Sequence, residues 1–323
     1  MIWPAQALQA EGKDIVIQKR PRILTDQSFN PPKILDVQLP PRTEAIVFQR
    51  PGSYQISQII PILRARGIKV IIDMDDDLET IHKLNPAHSY YDPESSPHRN
   101  WKWVKKACDL ADVVTATTES LLDKYATKAE GVLIPNCIPQ RFLEIEKKPN
   151  ETVTVGWAGW VLTHPNDLQV THGAVNEALS KQNARFMAIG DKDIFNKLQI
   201  RNRAPHVFEP GVSFDEYPEA VSKLDIGLVP LADTPFNHGK SWLKALEYAS
   251  LGVAPVVSPT PDNLKLVEQG AAYVARSPKA WRDCVRTLIL NEEERLDLIK
   301  RARIFAEQWT VEANAWRWWQ AWK

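Results

Sequence analysis

The sequence predicts an α/β protein with two parallel-sheet domains, and three observations support this fold class. Short apolar segments typical of buried strands alternate along most of the chain with segments of helical periodicity. A polar stretch centred on 147–150 interrupts this alternation near the middle of the 323 residues. The hydrophobic fraction is 44%, which supplies enough apolar side chains for two cores.

Each predicted element follows from its local pattern. Short runs of apolar and β-branched residues predict strands, and longer segments with apolar residues three or four positions apart predict helices. In the first half this gives strands at 45–48, 69–73 and 113–116, with helices at 56–66 and 101–111. In the second half it gives strands at 153–159, 185–191, 206–208, 225–230 and 254–258. Because strands and helices alternate, each domain is expected to contain a parallel sheet.

The charge and cysteine content exclude several classes of protein. Forty basic and forty acidic residues balance, so a general electrostatic attraction to nucleic acid is not expected. Cys108, Cys137 and Cys284 are few and far apart, which suggests neither a disulfide framework nor a metal site of the CxxC type. No stretch approaches the roughly 20 apolar residues of a spanning helix, and the N-terminus lacks a signal-like pattern. We therefore expect a cytoplasmic protein without a transmembrane segment or stable nucleic-acid binding.

The segment 236–258 carries the most specific chemistry in the chain. Asn237, Gly239 and Ser241 provide turn and cap chemistry, and apolar residues then follow at helical spacing until Gly252. A helix is therefore predicted to begin near Ser241. The N-terminus of a helix carries backbone N–H groups without intrahelical partners and a partial positive charge, so it favours an anion.

Two lysines and a glutamate lie at this helix end. Lys240 precedes the helix and Lys244 lies one turn into it, so both add positive charge to an anion site. Glu247 follows three residues after Lys244, on nearly the same face. A carboxylate beside two cations suits a ligand with both phosphate and hydroxyl groups, because the carboxylate accepts hydrogen bonds from a diol. The alternative is a solvated amphipathic helix with an internal Lys–Glu pair.

The run 240–252, followed by an apolar strand, resembles the donor-binding signature of the retaining glycosyltransferases of the GT-B fold, of the family 4 type. That family binds the ribose of a nucleotide sugar with the second glutamate of an E-x7-E motif, and Glu247 matches this position. Gly239 occupies the position of the first glutamate, so the family pattern does not define how the sugar ring is held. The resemblance implies two Rossmann-like α/β domains that face a central cleft, with a C-terminal helix crossing back to the first domain. It also implies a nucleoside diphosphate sugar as co-substrate and no further cofactor.

The resemblance implies further donor-site residues at the ends of strands in the second half. Gly159 and Trp160 begin a loop similar to the family's glycine loop beside the donor diphosphate, and His164 is the candidate cation there. Relatives often carry an arginine or a lysine in this loop. The complete set of implied donor-binding residues is Gly159, Trp160, His164, Gly190, Asp191, Gly211, Val212, Asn237, His238, Gly239, Ser241, Lys244 and Glu247. Each turn taken alone is also compatible with an ordinary strand-to-helix connection.

The acidic run at 73–77 follows a predicted strand and permits several interpretations, among them an acidic receiver-like pocket. Carboxylates at this spacing could bind a divalent cation, as the D-x-D motif of metal-dependent GT-A transferases does, or could cap a following helix. In the GT-B interpretation this strand end points into the cleft, where Asp75 and Asp76 would accept hydrogen bonds from sugar or acceptor hydroxyls. We therefore predict Lys240, Asp75 and Asp76 as catalytic residues and no metal site.

The domain organisation follows from these assignments. Residues 1–147 are expected to form an N-terminal Rossmann-like acceptor domain that begins with a helix at 1–8 and lacks its first strand. Residues 148–304 form the nucleotide-sugar-binding domain. Residues 305–323 form a Trp-rich helix whose aromatic face must be buried, either on the N-terminal domain or at a membrane surface. A polar, proline-rich segment with His88 and His98 could form an acceptor loop.

The sequence as a whole predicts a glycosyltransferase that moves a sugar from a nucleoside diphosphate sugar to a hydroxyl acceptor, with retention and without a metal ion. Lys240 would stabilise the charge that grows on the leaving diphosphate. The acceptor could be a glycan, a lipid, a protein or a modified nucleic acid. Two alternatives stay open: a catalytically weak nucleotide-sugar-binding protein, suggested by Gly239, and a GT-B-like nucleotide-sugar epimerase.

Overall fold

The computed structural model describes residues 1–18, 21–92, 94, 100–201 and 205–323, and His98 lies outside them. The helices, in chain order, are α1 Ile2–Ala10, α2 Tyr54–Ala65, α3 His88–Tyr91, α4 Asn100–Leu110, α5 Glu119–Tyr125, α6 Ala174–Leu179, α7 Ile194–Lys197, α8 Tyr217–Ser222, α9 Pro235–His238, α10 Leu243–Ser250, α11 Pro261–Glu268, α12 Pro278–Leu290, α13 Glu292–Glu307 and α14 Val311–Trp322. The strands are β1 Arg22–Asp26, β2 Lys33–Gln38, β3 Ala45–Gln49, β4 Lys69–Met74, β5 Val113–Ala116, β6 Glu130–Leu133, β7 Val153–Ala158, β8 Ala184–Gly190, β9 His206–Pro210, β10 Ile226–Val229, β11 Ala254–Val257 and β12 Tyr273–Val274. Short 3₁₀ helices span Gln140–Glu144, Val161–Thr163 and Leu168–Thr171.

The chain divides into two units, each with its own parallel sheet. The first unit contains Met1–Pro135 and Val311–Lys323, and the second contains Asn136–Thr310. The sheet of the first unit has the strand order β3–β4–β5–β6, and that of the second has the order β12–β11–β10–β7–β8–β9. Parallel sheets in both halves are what the alternation of strands and helices predicted.

The first unit is built around β4 and β5, whose side chains are almost all buried. Helix α2 begins after Ser53, whose hydroxyl accepts a hydrogen bond from the Ile56 N–H. Helices α2 and α5 pack on β4. Strands covered in this way need apolar side chains on both faces, which is why the apolar residues 70–72 identified the strand predicted at 69–73.

An antiparallel β1–β2 pair in the first unit was not predicted. Its strands are largely half-buried or exposed and mix Thr, Asp, Lys and Gln with apolar residues. Neither strand therefore contains the continuous apolar run that identifies a buried strand in a sequence. The helix predicted at 1–8 is present as α1, and it packs against α14.

The C-terminal Trp-rich segment is not one helix over 305–323. Helix α13 ends at Glu307 and α14 begins at Val311. The two parts are held by different units. Phe305 and Trp309 pack around Trp242 of the second unit, with ring centroids 5.4 and 4.8 Å from that indole, whereas α14 packs on α1, β3 and β4 of the first. The return of the C-terminal helix to the first unit, implied by the resemblance, is thus present in α14.

Residues 136–147 belong to the second unit, although the sequence analysis placed them in the first. Phe142 is buried, and the Arg303 guanidinium donates hydrogen bonds to the carbonyls of Leu143 and Ser250. The Lys147 ammonium donates to the Ser222 carbonyl at 2.8 Å, and burial lowers the pKa of Lys147. The polar residues that suggested a linker therefore include side chains that form hydrogen bonds within the second unit.

The second unit has a core between its sheet and the surrounding helices. Trp157, Phe186 and Trp281 are among its fully buried side chains. All strand pairs of this sheet are parallel, so every strand ends at the same edge. Among the residues that the structure describes, no helix combines the length and the apolar character needed to cross a bilayer.

Candidate functional site

The strand order of the second unit determines where a ligand is expected to bind. From β7 the chain continues to β8 and β9 on one side of the sheet and then returns to β10, β11 and β12 on the other. Ligands of open α/β sheets bind beyond the carboxyl ends of the strands at such a reversal. The segments after β7 (159–173) and after β10 (230–242) meet at this reversal, and both contain residues predicted for donor binding.

Asp167 joins these two segments. The residue is 3% exposed, and its carboxylate accepts hydrogen bonds from the Ala232 N–H at 2.9 Å and from the Asn237 side-chain amide at 2.7 Å. The second carboxylate oxygen lies 3.0 Å from Nδ1 of His164. The predicted residues His164 and Asn237 are thus brought together by a residue that sequence reasoning missed. An aspartate in a polar loop has no local signal that separates this role from that of an ordinary turn residue.

Gly159 and Gly190 lie where β7 and β8 end. Gly190 has φ +102°, and a Cβ atom on it would lie 2.7 Å from the Gly159 carbonyl oxygen. Gly159 itself has φ +148°, and its N–H donates to the Ile189 carbonyl at 3.0 Å. Only glycine permits this close backbone contact without strain. The two predicted glycines therefore have a structural reason to be present, independent of any ligand.

Trp160 and the residues after β9 form an exposed surface beside these glycines. Trp160 is 61% exposed, and a Cβ on Gly211 would lie 3.4 Å from its ring. The neighbouring Val212 is also exposed. Asp191 accepts hydrogen bonds from the Val161 N–H at 3.3 Å and the Asp193 N–H at 2.9 Å. The predicted residues after β7, β8 and β9 therefore lie together at one edge of the sheet.

Helix α10 begins at Leu243, two residues later than the predicted start. Ser241 does not cap it, because Trp242 occupies the N-cap position, and the Ser241 hydroxyl accepts a hydrogen bond from the Asn136 side-chain amide at 2.7 Å. The Trp242 N–H instead donates to the Asp262 carboxylate at 2.8 Å. A carboxylate from a different helix thus satisfies the backbone at this helix end, which a local sequence pattern does not reveal.

The two predicted lysines have different environments. The Lys244 ammonium donates to the Ala158 carbonyl at 2.5 Å and lies 4.9 Å from the centre of the Trp157 ring. Burial lowers the pKa of Lys244, and the charge of Lys240 acts in the same direction. Lys240 is half-buried and places its ammonium 4.6 Å from the Phe236 ring. Both cations therefore lie at the reversal point, with Lys244 directed at the end of β7.

Glu247 is held by a residue that the sequence analysis did not predict. Its Oε2 accepts a hydrogen bond from the Tyr217 hydroxyl at 3.0 Å. Burial raises the pKa of Glu247, and the Lys244 charge and the Tyr217 hydrogen bond oppose this shift. Tyr217 lies at the start of α8, thirty residues earlier in the chain. The carboxylate of this half-buried residue is thus fixed in position.

His164 packs edge-to-face against Trp157, with ring centroids 5.3 Å apart. Burial lowers the pKa of His164, the charges of Lys244 and Lys240 lower it further, and the hydrogen bond to Asp167 opposes them. Trp157 is therefore contacted by both His164 and the Lys244 ammonium, which places both groups at the end of β7.

Two of the predicted residues next to Lys240 have more ordinary surroundings. His238 is exposed, and its Nε2 lies 2.6 Å from the Asp233 carboxylate. Gly239 ends α9 with φ −80°, a conformation open to any residue. Nothing in the backbone therefore requires glycine at the position where the family pattern has glutamate.

The acidic run at 73–77 is divided among different partners within the first unit. Asp75 and Asp76 both form salt bridges with Arg50, at 3.1 and 3.3 Å. Asp73 accepts a hydrogen bond from the Thr115 hydroxyl at 2.7 Å, and Asp77 pairs with the Lys124 ammonium at 2.7 Å. Within the described ranges, no group of three or more His, Cys, Asp and Glu side chains is arranged to hold a metal ion.

Comparison with known proteins gives structural but not sequence relatives. No family model matches the chain, and no curated protein matches its sequence. Three similar solved structures are an α,α-trehalose-phosphate synthase (UDP-forming) from Burkholderia xenovorans in complex with glucose-6-phosphate, the Anabaena protein HepE in complex with UDP and glucose, and WaaG, a glycosyltransferase involved in lipopolysaccharide biosynthesis.

These similarities extend over most of each chain. The synthase is 13% identical with a TM-score of 0.57, and the match covers 87% of this chain and 73% of the synthase. HepE is 12% identical with a TM-score of 0.57, covering 86% and 77% respectively. WaaG is 13% identical with a TM-score of 0.55, covering 80% and 79%. The chain therefore has the GT-B fold, in agreement with the two α/β units described above.

Proposed function

We propose that this protein is a glycosyltransferase that moves a sugar from a nucleoside diphosphate sugar to a hydroxyl acceptor. The observation that carries the proposal is the grouping of Lys240, Lys244, His164 and Glu247 at the strand reversal of the second unit of a GT-B fold. Three groups that are cationic or can become cationic suit a diphosphate, and one fixed carboxylate suits the ribose hydroxyls.

The proposal assigns each group a part of the donor. Lys240, half-buried at the protein surface, contacts the diphosphate directly. Lys244 contributes its charge from the end of β7, where it is bonded to the Ala158 carbonyl. Glu247, held by the Tyr217 hydroxyl, accepts hydrogen bonds from the ribose. The base lies near the exposed residues Trp160, Gly211 and Val212.

The chemistry proposed is transfer with retention of anomeric configuration and without a metal ion. The bond between the anomeric carbon and the diphosphate oxygen breaks, and its electron pair leaves with the diphosphate. A bond forms between that carbon and the acceptor oxygen, whose proton is released. Lys240 stabilises the charge on the leaving group, a contribution whose loss lowers the rate by roughly 10²–10³-fold.

The proposal for the acceptor side rests on the sequence. Asp75 and Asp76, next to Arg50 in the first unit, would accept hydrogen bonds from sugar or acceptor hydroxyls. The solved relatives include a trehalose-phosphate synthase and a lipopolysaccharide enzyme, so the acceptor class differs between proteins of this fold. We place the protein in the cytoplasm, in keeping with its few and scattered cysteines.

Two other functions differ from this proposal in the fate of the donor. A nucleotide-sugar-binding protein, suggested by Gly239, leaves the donor unchanged. An epimerase of the same fold converts the donor to an isomer and needs no acceptor.

Incubation with a panel of UDP-, GDP-, ADP-, CDP- and dTDP-sugars, followed by chromatography, distinguishes these three functions. The proposal expects nucleoside diphosphate to be released in EDTA as well as in Mg²⁺, with water taking the sugar in place of the acceptor hydroxyl, and an isomerised or unchanged donor would contradict it.

A further inference from the structure

The hydrogen bond from Asp167 determines which nitrogen of His164 can change its protonation. A carboxylate accepts hydrogen bonds, so Nδ1 of His164, 3.0 Å from Oδ2 of Asp167, carries the hydrogen. The other ring nitrogen, Nε2, is then the atom that gains or lacks a proton. Asp167 cannot move away from the ring easily, because it also accepts hydrogen bonds from the Ala232 N–H and the Asn237 amide.

The charged groups that act on this ring oppose one another. Lys244, on α10, and Lys240, just before α10, disfavour a proton on His164, and burial acts in the same direction, so the pKa of His164 is lowered. Asp167 is the group that favours the proton. Without a ligand the imidazole is therefore neutral near pH 7. A bound diphosphate adds negative charge beside both lysines, so it favours a proton on His164.

The loop that carries His164 has no permanently charged cation. No arginine or lysine occurs between Gly159 and Ser180. His164 and the Lys244 ammonium both contact Trp157, and the charge of Lys244 acts on the His164 ring. A proton on Nε2 would thus add a third cation at the end of β7, where the donor diphosphate is expected.

We propose that His164, held by Asp167, takes up one proton at Nε2 when the donor diphosphate binds and releases it when the diphosphate leaves. The inference rests on the proposed function and deepens it, because it identifies a positive charge that forms only when the donor diphosphate is bound. Asp167 is a positioning residue here: it fixes the ring and stabilises the imidazolium, and it does not touch the donor. The proton comes from solvent, so the binding equilibrium depends on pH.

Isothermal titration calorimetry in buffers of different ionisation enthalpy measures this proton uptake. The probe is whichever of UDP, GDP, ADP, CDP and dTDP raises the melting temperature of the wild type most. The variant His164→Gln keeps a donor for Asp167 but does not titrate. The matched control is His172→Gln, because His172 is exposed on the same loop and follows the 3₁₀ helix Leu168–Thr171. Any proton taken up by the nucleotide itself is common to all variants, so it cancels when the proton uptake of two variants is compared.

The wild type and His172→Gln are expected to take up the same number of protons, and His164→Gln fewer by up to about one proton per site. The affinity of the wild type relative to His164→Gln should increase as the pH falls from about 8 to about 6, by at most about tenfold per pH unit. Asp167→Asn should lower the proton uptake as well as the affinity, whereas a purely structural role would weaken binding with an unchanged proton count.

Equal proton uptake by the wild type and His164→Gln, with both binding the nucleotide, overturns this inference and leaves the proposed function standing. Binding of none of the five nucleoside diphosphates overturns both.

Discussion

Buried or half-buried carboxylates organise the candidate site from positions that are distant in the sequence. Asp167 bonds to groups 65 and 70 residues later, and Glu247 to a hydroxyl 30 residues earlier. The proximity of Lys240, Lys244 and Glu247 was predictable because they lie within eight consecutive residues, Lys240 just before α10 and the other two inside it. Asp167 and Tyr217 were not predictable, since the fold and not the local pattern brings them to the site.

Tyr217→Phe is expected to weaken binding of the ribose but not binding of the diphosphate. It removes the hydroxyl that donates to Glu247, a hydrogen bond to a charged group that contributes about 1.5–3 kcal/mol. The wild type should prefer a ribonucleoside diphosphate to its 2′,3′-dideoxy analogue, and the variant should lose most of this preference. Titration calorimetry with both ligands measures the ratio of affinities.

Tyr273→Phe is the matched control for this experiment. The Tyr273 hydroxyl also donates to a glutamate, Glu294, at 2.6 Å, in a pair formed by β12 and α13. This variant should keep the preference for ribose. A preference that survives in Tyr217→Phe, or disappears equally in both variants, contradicts the role given to Tyr217.

At the scale of elements, buried strands were predicted well and boundaries set by remote contacts were not. Strands β4, β5 and β11 each contain adjacent Val or Ile residues, and the predicted ranges match them within one residue. The start of α10 was placed at Ser241 because serine is a common cap, whereas the Trp242 N–H bonds to Asp262. The break between α13 and α14 has no glycine or proline to signal it, because packing on two different units produces it.

Gly190→Ala is expected to destabilise the second unit. The new Cβ would lie 2.7 Å from the Gly159 carbonyl oxygen, and the backbone has φ +102°. Gly67→Ala is the control, because Gly67 has φ +74° but open space around its Cα. Strained backbone costs of order 1–3 kcal/mol, so urea unfolding should show a loss in both variants and a larger one in Gly190→Ala. Equal losses would mean that the two strand ends can separate freely.

Asp73 is expected to make stability depend on pH. Burial raises the pKa of Asp73 from 3.8 to about 6, opposed by the Thr115 hydrogen bond and assisted by Asp75. The folded state therefore holds this proton more tightly than the unfolded chain. Its stabilising effect is complete below about pH 4 and is lost as the pH rises to about 6. Urea midpoints of the wild type should fall relative to those of Asp73→Asn across this range, and parallel curves would contradict the assignment.

At the scale of the whole molecule, the C-terminal helix belongs to the unit that begins the chain. Helix α14 packs on α1, β3 and β4, and the Lys69 ammonium donates to the Lys323 carbonyl at 2.6 Å. The sequence indicated this arrangement through the number of tryptophans that needed burial and through the resemblance to GT-B enzymes. The GT-B fold itself was predictable, because one signature segment and the alternation of strands and helices agree with each other.

Trp318→Ala is expected to destabilise the first unit. Trp318 is 5% exposed, and removing a buried tryptophan side chain costs about 3–5 kcal/mol. Trp316→Ala, on the same helix but 49% exposed, should change the free energy of unfolding by roughly 1 kcal/mol or less. Chemical denaturation followed by circular dichroism compares the two. A similar loss in both variants would mean that α14 is not held by its buried face.

The central claim is that the second unit binds a nucleoside diphosphate through Lys240. Its most direct test is a titration of UDP, GDP, ADP, CDP and dTDP into wild type, Lys240→Ala and Lys279→Ala in EDTA, with Lys279 as an exposed lysine on α12. We predict that one diphosphate binds the wild type and Lys279→Ala equally, and that Lys240→Ala loses about tenfold or more in affinity. Binding of no diphosphate, or binding that Lys240→Ala leaves unchanged, would contradict the account.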